Sequence, residues 1–299
     1  MKIGVCGNLT IDELGRNGVR VCPGGSALFS SLAAASLGAK VSIVSSIGND
    51  YPTKALLEMK RKGIDIARVE NLDGNTTRFR ISYRRTSRIL ELIHPGNRLS
   101  KGWFSGSFDA IHLGPVFREV GLEMLSNARR RCKFLSIDVQ GLLRGLDAKG
   151  RVRLVKRNID PFLTKCNVVK ATEQEARALV PAGTLLSVAR RLLRNGAEYA
   201  IITRGTLGSL LASSGGDMFH IPSIPNRRVV DQTGAGDIFI GSWITTLQFG
   251  KDPLWAGAVG AAFASLSVAR IGLSKFRFSR TELFRRASWA YNNSKLLVN

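Results

Sequence analysis

A chain of 299 residues with 44% hydrophobic side chains can bury a large core, as one large α/β domain or two. Its 44 lysines and arginines outnumber its 22 aspartates and glutamates, a formal charge of +22 that attracts anions in general. No uninterrupted apolar run approaches the ~20 residues of a membrane span, and the four cysteines form no C-x-x-C pair, which reads as free thiols in a reducing cytoplasm.

In chain order, Lys2–Asn8 reads as a short buried strand, not a signal peptide, since no cleavage region follows. Asp12 falls in the loop beyond it. Gly15–Val21 is polar, and Pro23-Gly24-Gly25 leads into a helix over Ser26–Leu37. The β-branched run Val41–Ile47 is a strand, followed by Gly48-Asn49-Asp50 and a helix over Pro52–Lys62 that Gly63 closes. This β-α-β-α opening implies a parallel sheet covered by helices. Thr77–Tyr83 and Ile89–Ile93, joined by the polar Arg84–Arg88, read as an antiparallel hairpin.

The alternation then resumes. Strands are expected at Ala110–Leu113, Phe134–Asp138, Val168–Lys170, Ala200–Thr203, Ser209–Ala212 and Phe219–Ile221. Helices are expected at Glu119–Arg131, Glu173–Leu179 and Leu185–Leu193, then near Asp237–Phe249, Pro253–Arg270 and Thr281–Tyr291, the last with the capping box Ser279/Glu282. Without an internal repeat or a low-complexity linker, the economical fold is one doubly wound α/β domain over 1–299. Small β-lid segments are placed near 13–22 and 66–98.

The most informative stretch is Val229–Gly241. Two β-branched residues read as a strand end, Gly234-Ala235-Gly236 as a turn, and Ile238, Ile240, Trp243, Ile244 and Leu247 as a helix running to Gly250. Backbone N–H groups of such a turn, at a helix N-terminus, make an anion site. Asp237 lies in the first helical turn beside it, and an anion cradle with an adjacent carboxylate suits phosphoryl transfer to a hydroxyl. The same Asp equally suits the helix dipole alone, which would keep it ionised. Asp12 and Asn49 follow strand ends, where open α/β sheets bind ligands. Gly24 and Gly25 permit close backbone approach, Asp138 ends a strand, and Glu119 either contacts a ligand or starts a helix. His94, His112 and His220 show no ligand spacing and read as structural.

Asp231-Gln232-Thr233-Gly234-Ala235-Gly236-Asp237 resembles the D-x-T-G-A-G-D signature of the ribokinase-like, phosphofructokinase-B type (PfkB) carbohydrate kinases. Pro23-Gly24-Gly25-Ser26-Ala27, Leu37-Gly38-Ala39 and Ile47-Gly48-Asn49-Asp50 resemble the family's amino-terminal pattern, about two hundred residues earlier. The resemblance covers nearly the whole chain and implies a ribokinase-like fold with a β lid. It implies that Asp237 is the base toward the acceptor hydroxyl, that Gly234, Ala235 and Gly236 supply N–H donors to the transferred group, and that Asp12 holds acceptor hydroxyls.

Lys170-Ala171-Thr172-Glu173-Gln174-Glu175 resembles the family's N-x-x-E motif, which orders Mg²⁺ and its waters, with Thr172 where Asn is usual. Thr-x-x-Glu is also a capping box, and the two readings are compatible. Thr203-Arg204-Gly205-Thr206-Leu207-Gly208 resembles the T-x-G-x-x-G nucleotide loop, to which Arg204 could add charge. Ala261 and Ser265 fall at the family's adenine site, or on a small-residue packing face. A monovalent cation near Asp231 and Thr233 is a further expectation. The reading is an ATP- and Mg²⁺-dependent kinase of a sugar or polyol, with a nucleoside acceptor as the alternative and a homodimer allowed. A nucleic-acid or anion-binding module on a kinase fold is the alternative from another class. The dispersed basic residues lack a nucleic-acid motif, and the intact Gly-Ala-Gly-Asp loop speaks against decay.

Overall fold

The computed structural model describes residues 1–15, 20–84, 87–99, 104–181, 183–226 and 228–297. Arg85 and Thr86 of the expected hairpin connection, and 16–19 of the expected lid segment, lie outside the described residues.

Strands β1 (Lys2–Cys6), β4 (Lys40–Ile47), β5 (Ile64–Asn71), β8 (Phe108–Leu113), β9 (Cys132–Asp138), β12 (Val168–Thr172) and β13 (Tyr199–Thr203) pair in parallel. Strands β14 (Ser209–Ser213), β15 (Met218–Ile221) and β16 (Lys295–Leu296) extend the sheet in antiparallel fashion. The order is β16-β15-β14-β13-β12-β9-β8-β1-β4-β5.

Both faces of this sheet are covered, as parallel pairing requires. Alternation along the strands sends Ile3, Val5, Val41, Ile43, Phe134, Val168 and Ile201 to one core. That core is covered by helices α1 (Ser26–Ser36), α2 (Thr53–Arg61), α8 (Ala235–Gln248), α9 (Pro253–Ser267) and α10 (Arg280–Asn292). Ile111, Leu135, Ile137, Val169, Ala200 and Ile202 point the other way, under α3 (Leu122–Arg131), α5 (Asp160–Leu163), α6 (Glu173–Leu179) and α7 (Leu185–Arg194). Among the described residues no helix is long and apolar enough to cross a membrane.

A second sheet, β3-β2-β6-β7, stands over the carboxyl edge of the first. Its strands are β2 (Thr10–Leu14), β3 (Arg20–Gly24), β6 (Thr77–Arg84) and β7 (Ser87–His94). The β6–β7 hairpin follows the expectation. Three features differ. Asp12 lies within strand β2, not in a loop, because β2 pairs with both β3 and β6. Residues 64–71, partly assigned to the lid, form β5 of the main sheet, since Ile64 inserts into its core. Val229 and Val230 are exposed and end no strand. A small pair, β10 (Arg144–Leu146) and β11 (Val152–Leu154), follows the short helix α4 (Gln140–Leu143) and packs Val152 against the lid core of Phe79 and Ile81.

The lid is tied to the sheet by polar groups. The Asn8 side chain donates to Thr77 Oγ1 (3.1 Å) and Asn97 O (2.8 Å) and accepts from Ser46 Oγ (2.9 Å). Arg78 joins Asp50 at 2.8 Å to Glu13 at 3.2 Å. Against the effect of burial, hydrogen bonds from Thr76 and Arg78 hold the Asp50 carboxyl down at about 2.

Candidate active site

The ends of β1, β9, β12 and β13 lie on the carboxyl edge, the ligand edge of open α/β sheets. There an open cleft is lined by Thr10, Asp12, Phe79, Ile81 and Leu90 of the lid sheet and by Gly25, Ser26 and Phe29 at the start of α1. Gln140, Arg144, Thr233, Gly234 and Asp237 complete its rim. Asp12 and Asp237, 225 positions apart in the chain, thus share one space.

Asp12 is buried, and its Oδ1 accepts the Thr10 hydroxyl at 2.8 Å. A β-carbon on Gly24 would meet Asp12 Oδ2 at 2.2 Å, so Gly24 makes room for this carboxylate. Gly25, at φ +99°, is the N-cap of α1 and passes against the Asn8 carbonyl. Both glycines therefore serve internal packing, and only Gly25 also lines the cavity.

Gly234 caps α8 in the left-handed conformation, φ +76°, with its α-carbon against the Phe29 ring. Ala235 and Gly236 then open the helix; the Ala235 N–H donates to Gln232 O at 3.2 Å, and neither N–H has a partner within the helix. The site of a Gly236 β-carbon lies 3.0 Å from Lys170 Nζ, which puts a buried ammonium beneath the turn. Lys170 is held by Asp138 at 2.7 Å, and Asp138 Oδ1 accepts the Gln140 N–H at 3.0 Å. Lys170 and Asp138 are 2% and 0% exposed, a buried ion pair beneath the Gly234–Gly236 turn. Burial disfavours the Lys170 ammonium, but Asp138, Glu175 and Asp237 outweigh it and raise its pKa. Burial raises the pKa of Asp237 too, with Asp138 acting alike and Lys170 and the Ser26 hydroxyl opposing. Asp237 is thus a stronger base than an ordinary aspartate, contrary to the dipole argument taken alone.

On the donor side, Thr172 and Glu175 form the capping box of α6, with the Thr172 N–H on Glu175 Oε2 at 2.7 Å. Burial, then Asp138, raises the Glu175 pKa. One carboxylate oxygen remains for a cation. Among the described residues no group of three His, Cys, Asp or Glu forms a metal cluster. A single carboxylate fits Mg²⁺, which keeps its waters and takes its other ligands from phosphates.

Thr203 ends β13, and the turn through Gly205 (φ +57°) and Gly208 (φ +83°) returns into β14. Gly208 is packed against the Ile221 carbonyl, whereas nothing lies within 4 Å of a Gly205 β-carbon, which leaves Gly205 open to a ligand. Arg204 pairs with Glu173 at 3.0 Å. Ser265 accepts from Arg286 (2.8 Å) and donates to Ile224 O (3.1 Å), and Ala261 packs against the core.

Two expected acceptor contacts are placed elsewhere. Asn49 is exposed, and its N–H meets Gly74 O at 3.3 Å. Glu119 precedes helix α3 and is 3% exposed. Its carboxylate accepts the N–H groups of Asn8 (2.9 Å), Val116 (2.7 Å) and Phe117 (2.7 Å). This clamp fixes the β8–α3 connection to the end of β1 and holds Arg118 at φ +63°. The expected monovalent-cation position near Asp231 and Thr233 is filled by a protein cation. The fully buried Lys275 Nζ lies 3.2 Å from Asp231 Oδ2 and donates to Asp231 O at 2.6 Å.

Sequence reasoning missed Gln140 and Arg144. Gln140 Nε2 points to Asp237 Oδ1 at 3.5 Å, and Arg144 donates to Gln140 Oε1 at 3.0 Å. Their position just after Asp138, at a parallel-strand carboxyl end, is the signal that could have found them.

Known proteins match this chain in sequence and in fold. The model of the pfkB family carbohydrate kinase matches residues 13–277. A cytidine kinase of Thermococcus kodakarensis is 30% identical over 256 residues, 83% of this chain and 88% of its own. A pyrophosphate-dependent kinase in the ribokinase family shares the fold with a TM-score of 0.81 at 20% identity, over 94% of this chain and 99% of that one. An E. coli protein assigned to ribokinase II, solved with ATP and Mg²⁺, gives 0.79 at 20%, over 96% and 99%. The chain belongs to the pfkB carbohydrate kinases, small-molecule kinases that transfer a phosphoryl group to a hydroxyl.

Proposed function

We propose that the chain transfers the γ-phosphoryl group of ATP to a hydroxyl of a sugar, polyol or nucleoside seated between Asp12 and Asp237. The observation that carries this reading is the cavity joining those two carboxylates beside the left-handed Gly234 turn. Asp12 binds acceptor hydroxyls and positions one of them at Asp237. The Asp237 carboxylate orients that hydroxyl and takes its proton as the bond to phosphorus forms, a task for which its raised pKa suits it. The N–H groups of Gly234, Ala235 and Gly236, the α8 dipole and the Lys170 ammonium face the charge that develops on the transferred group. Bound Mg²⁺ would neutralise donor phosphates, held from the protein side by Glu175. Thr203, Gly205 and Gly208 supply the turn toward the donor, with Thr172, Ala261 and Ser265 framing the same side. The basic surface draws in the anionic donor. Four free cysteines support a reducing, cytoplasmic setting.

A nucleoside is favoured over a small polyol by the apolar surface of Phe79, Ile81 and Leu90, which lies on the same lid sheet beside the polar Thr10 and Asp12. The lid thus offers hydroxyl partners next to an apolar surface that suits a flat ring, and a cytidine kinase is among the relatives. The test is a phosphorylation screen of nucleosides, pentoses and inositols, with ATP and pyrophosphate as separate donors. Product with a nucleoside and ATP is expected. No phosphorylated product from any pair would overturn the reading.

A further inference from the structure

The buried ammonium of Lys275 carries this inference, which rests on the kinase reading above. Lys275 lies in a 3₁₀ turn, Gly272–Phe276, and is 0% exposed. Its Nζ contacts three oxygens: Asp231 O at 2.6 Å, Asp231 Oδ2 at 3.2 Å and Ser267 O at 3.4 Å. Two backbone carbonyls and a carboxylate are the ligand set that strips water from a monovalent cation. An ammonium offers three donors to the same acceptors.

Two of these oxygens belong to Asp231, at the start of the phosphate-handling turn, and the third to Ser267 at the end of α9. Asp231 Oδ1 accepts the Thr233 N–H at 2.9 Å, and Gly234 follows directly. The N–H groups of Val230 and Asp231 meet Val268 O at 2.7 and 3.1 Å, at the end of α9. Thr233 Oγ1, two residues along the turn, is buried without a hydrogen-bond partner. The turn that bears Lys275 is fixed from its other side, because Phe276 stacks on Phe29 with centroids 6.4 Å apart, and Phe29 packs on Gly234.

We propose that Lys275 is a built-in monovalent cation, a positioning residue that holds Asp231–Gly234 in its active shape and makes the enzyme independent of K⁺. A second cation at the same oxygens would meet the like charge of the ammonium at ion-pair distance, with one carboxylate to balance both. The expected external cation therefore does not fit this chain.

The test compares turnover of the intact protein in K⁺, Na⁺ and tetramethylammonium as sole monovalent cation. Rates within twofold of one another are expected. Activation by K⁺ of fivefold or more would overturn the proposal. In Lys275→Ala, turnover should fall at least tenfold, and K⁺ or NH₄⁺ should restore part of it saturably. Rubidium-soaked crystals of that variant should show anomalous density at Asp231, absent from the unsubstituted protein. A variant with full cation-independent activity, or one neither rescued nor loaded with rubidium, would reject the cation role. Should Lys275→Ala not fold, the comparison on the unsubstituted protein still decides. A protein inactive with every acceptor in every cation would refute the kinase reading instead. The cation question would then rest on melting temperature, expected equal in K⁺ and tetramethylammonium.

Discussion

Gly234→Ala tests whether the shape of the phosphate turn is imposed by packing. Gly234 sits at φ +76°, and its added methyl would stand 2.3 Å from Phe29 Cδ2 and 2.5 Å from Cγ. The left-handed conformation costs a non-glycine residue about 1–2 kcal/mol. The clash adds an overpacking term of about 1–3 kcal/mol, because Phe29 is 2% exposed and is backed by Phe276. The sum is about 2–5 kcal/mol. At about 2 cal/mol/K of unfolding entropy per residue over this chain, that lowers Tm by roughly 3–8 °C. Gly250→Ala is the matched control, with φ +75° and nothing within 4 Å, and should lose only about 2–3 °C. Calorimetry of both variants isolates the Phe29 term. A Phe29→Ala background should remove most of the difference, as a double-mutant cycle requires. Turnover of Gly234→Ala should fall further than that of Gly250→Ala, since only the former displaces the turn. Equal melting shifts in the two variants, with unchanged turnover in Gly234→Ala, would refute the reasoning.

Asp237→Asn keeps the shape but not the proton acceptor, and should cost about 10²–10⁴-fold in kcat with little change in acceptor KM. Near-normal turnover would return Asp237 to a helix-dipole role. Asp12→Asn should raise acceptor KM more than it lowers kcat, because its contacts are made in ground and transition states alike. The pH profile of kcat should lose activity on the acid side at a pH above the ordinary aspartate value of about 3.9. The base must be deprotonated and its pKa is raised by burial, so the acid limb moves up, not down. An acid limb at or below that value would contradict the burial argument. Glu119→Gln replaces one of two accepting oxygens by an NH₂ facing backbone N–H groups. It should destabilise the fold by about 1–3 kcal/mol in denaturant titration, or more, while an acceptor-contact role would show chiefly in KM.

Much of the parallel sheet was legible because its strands are continuous β-branched runs separated by amphipathic helices. The Gly234–Asp237 turn was legible because small residues and one carboxylate in that order have few other uses. Strand β5 was not, since Arg68 and Glu70 break its apolar pattern at the sheet's edge. The β2–β3 pair hid behind Asp12 and Pro23, residues that disfavour strands; Pro23 is tolerated because β3 is the edge strand of its sheet. Glu119 and Asp138 were singled out as acceptor contacts, and the structure shows both as buried carboxylates with protein partners. Their partners, three backbone N–H groups and the Lys170 ammonium, are set by tertiary packing that no local pattern encodes. Lys275 was invisible for the same reason, because a lone lysine in a polar stretch reads as solvated surface.

The division of the cavity between two lengths of chain has a consequence for how this protein can change. The lid strands and Asp12 come from residues 10–24 and 77–94, which follow the carboxyl ends of β1 and β5. Lys170, Glu175, the Thr203–Gly208 turn and the Asp231–Asp237 turn all come from the second half. On the proposed function, most acceptor-facing side chains of the lid and the phosphate-handling turns are inherited on separate segments, so exchanging the first should redirect the enzyme to a new alcohol while the second passes unaltered.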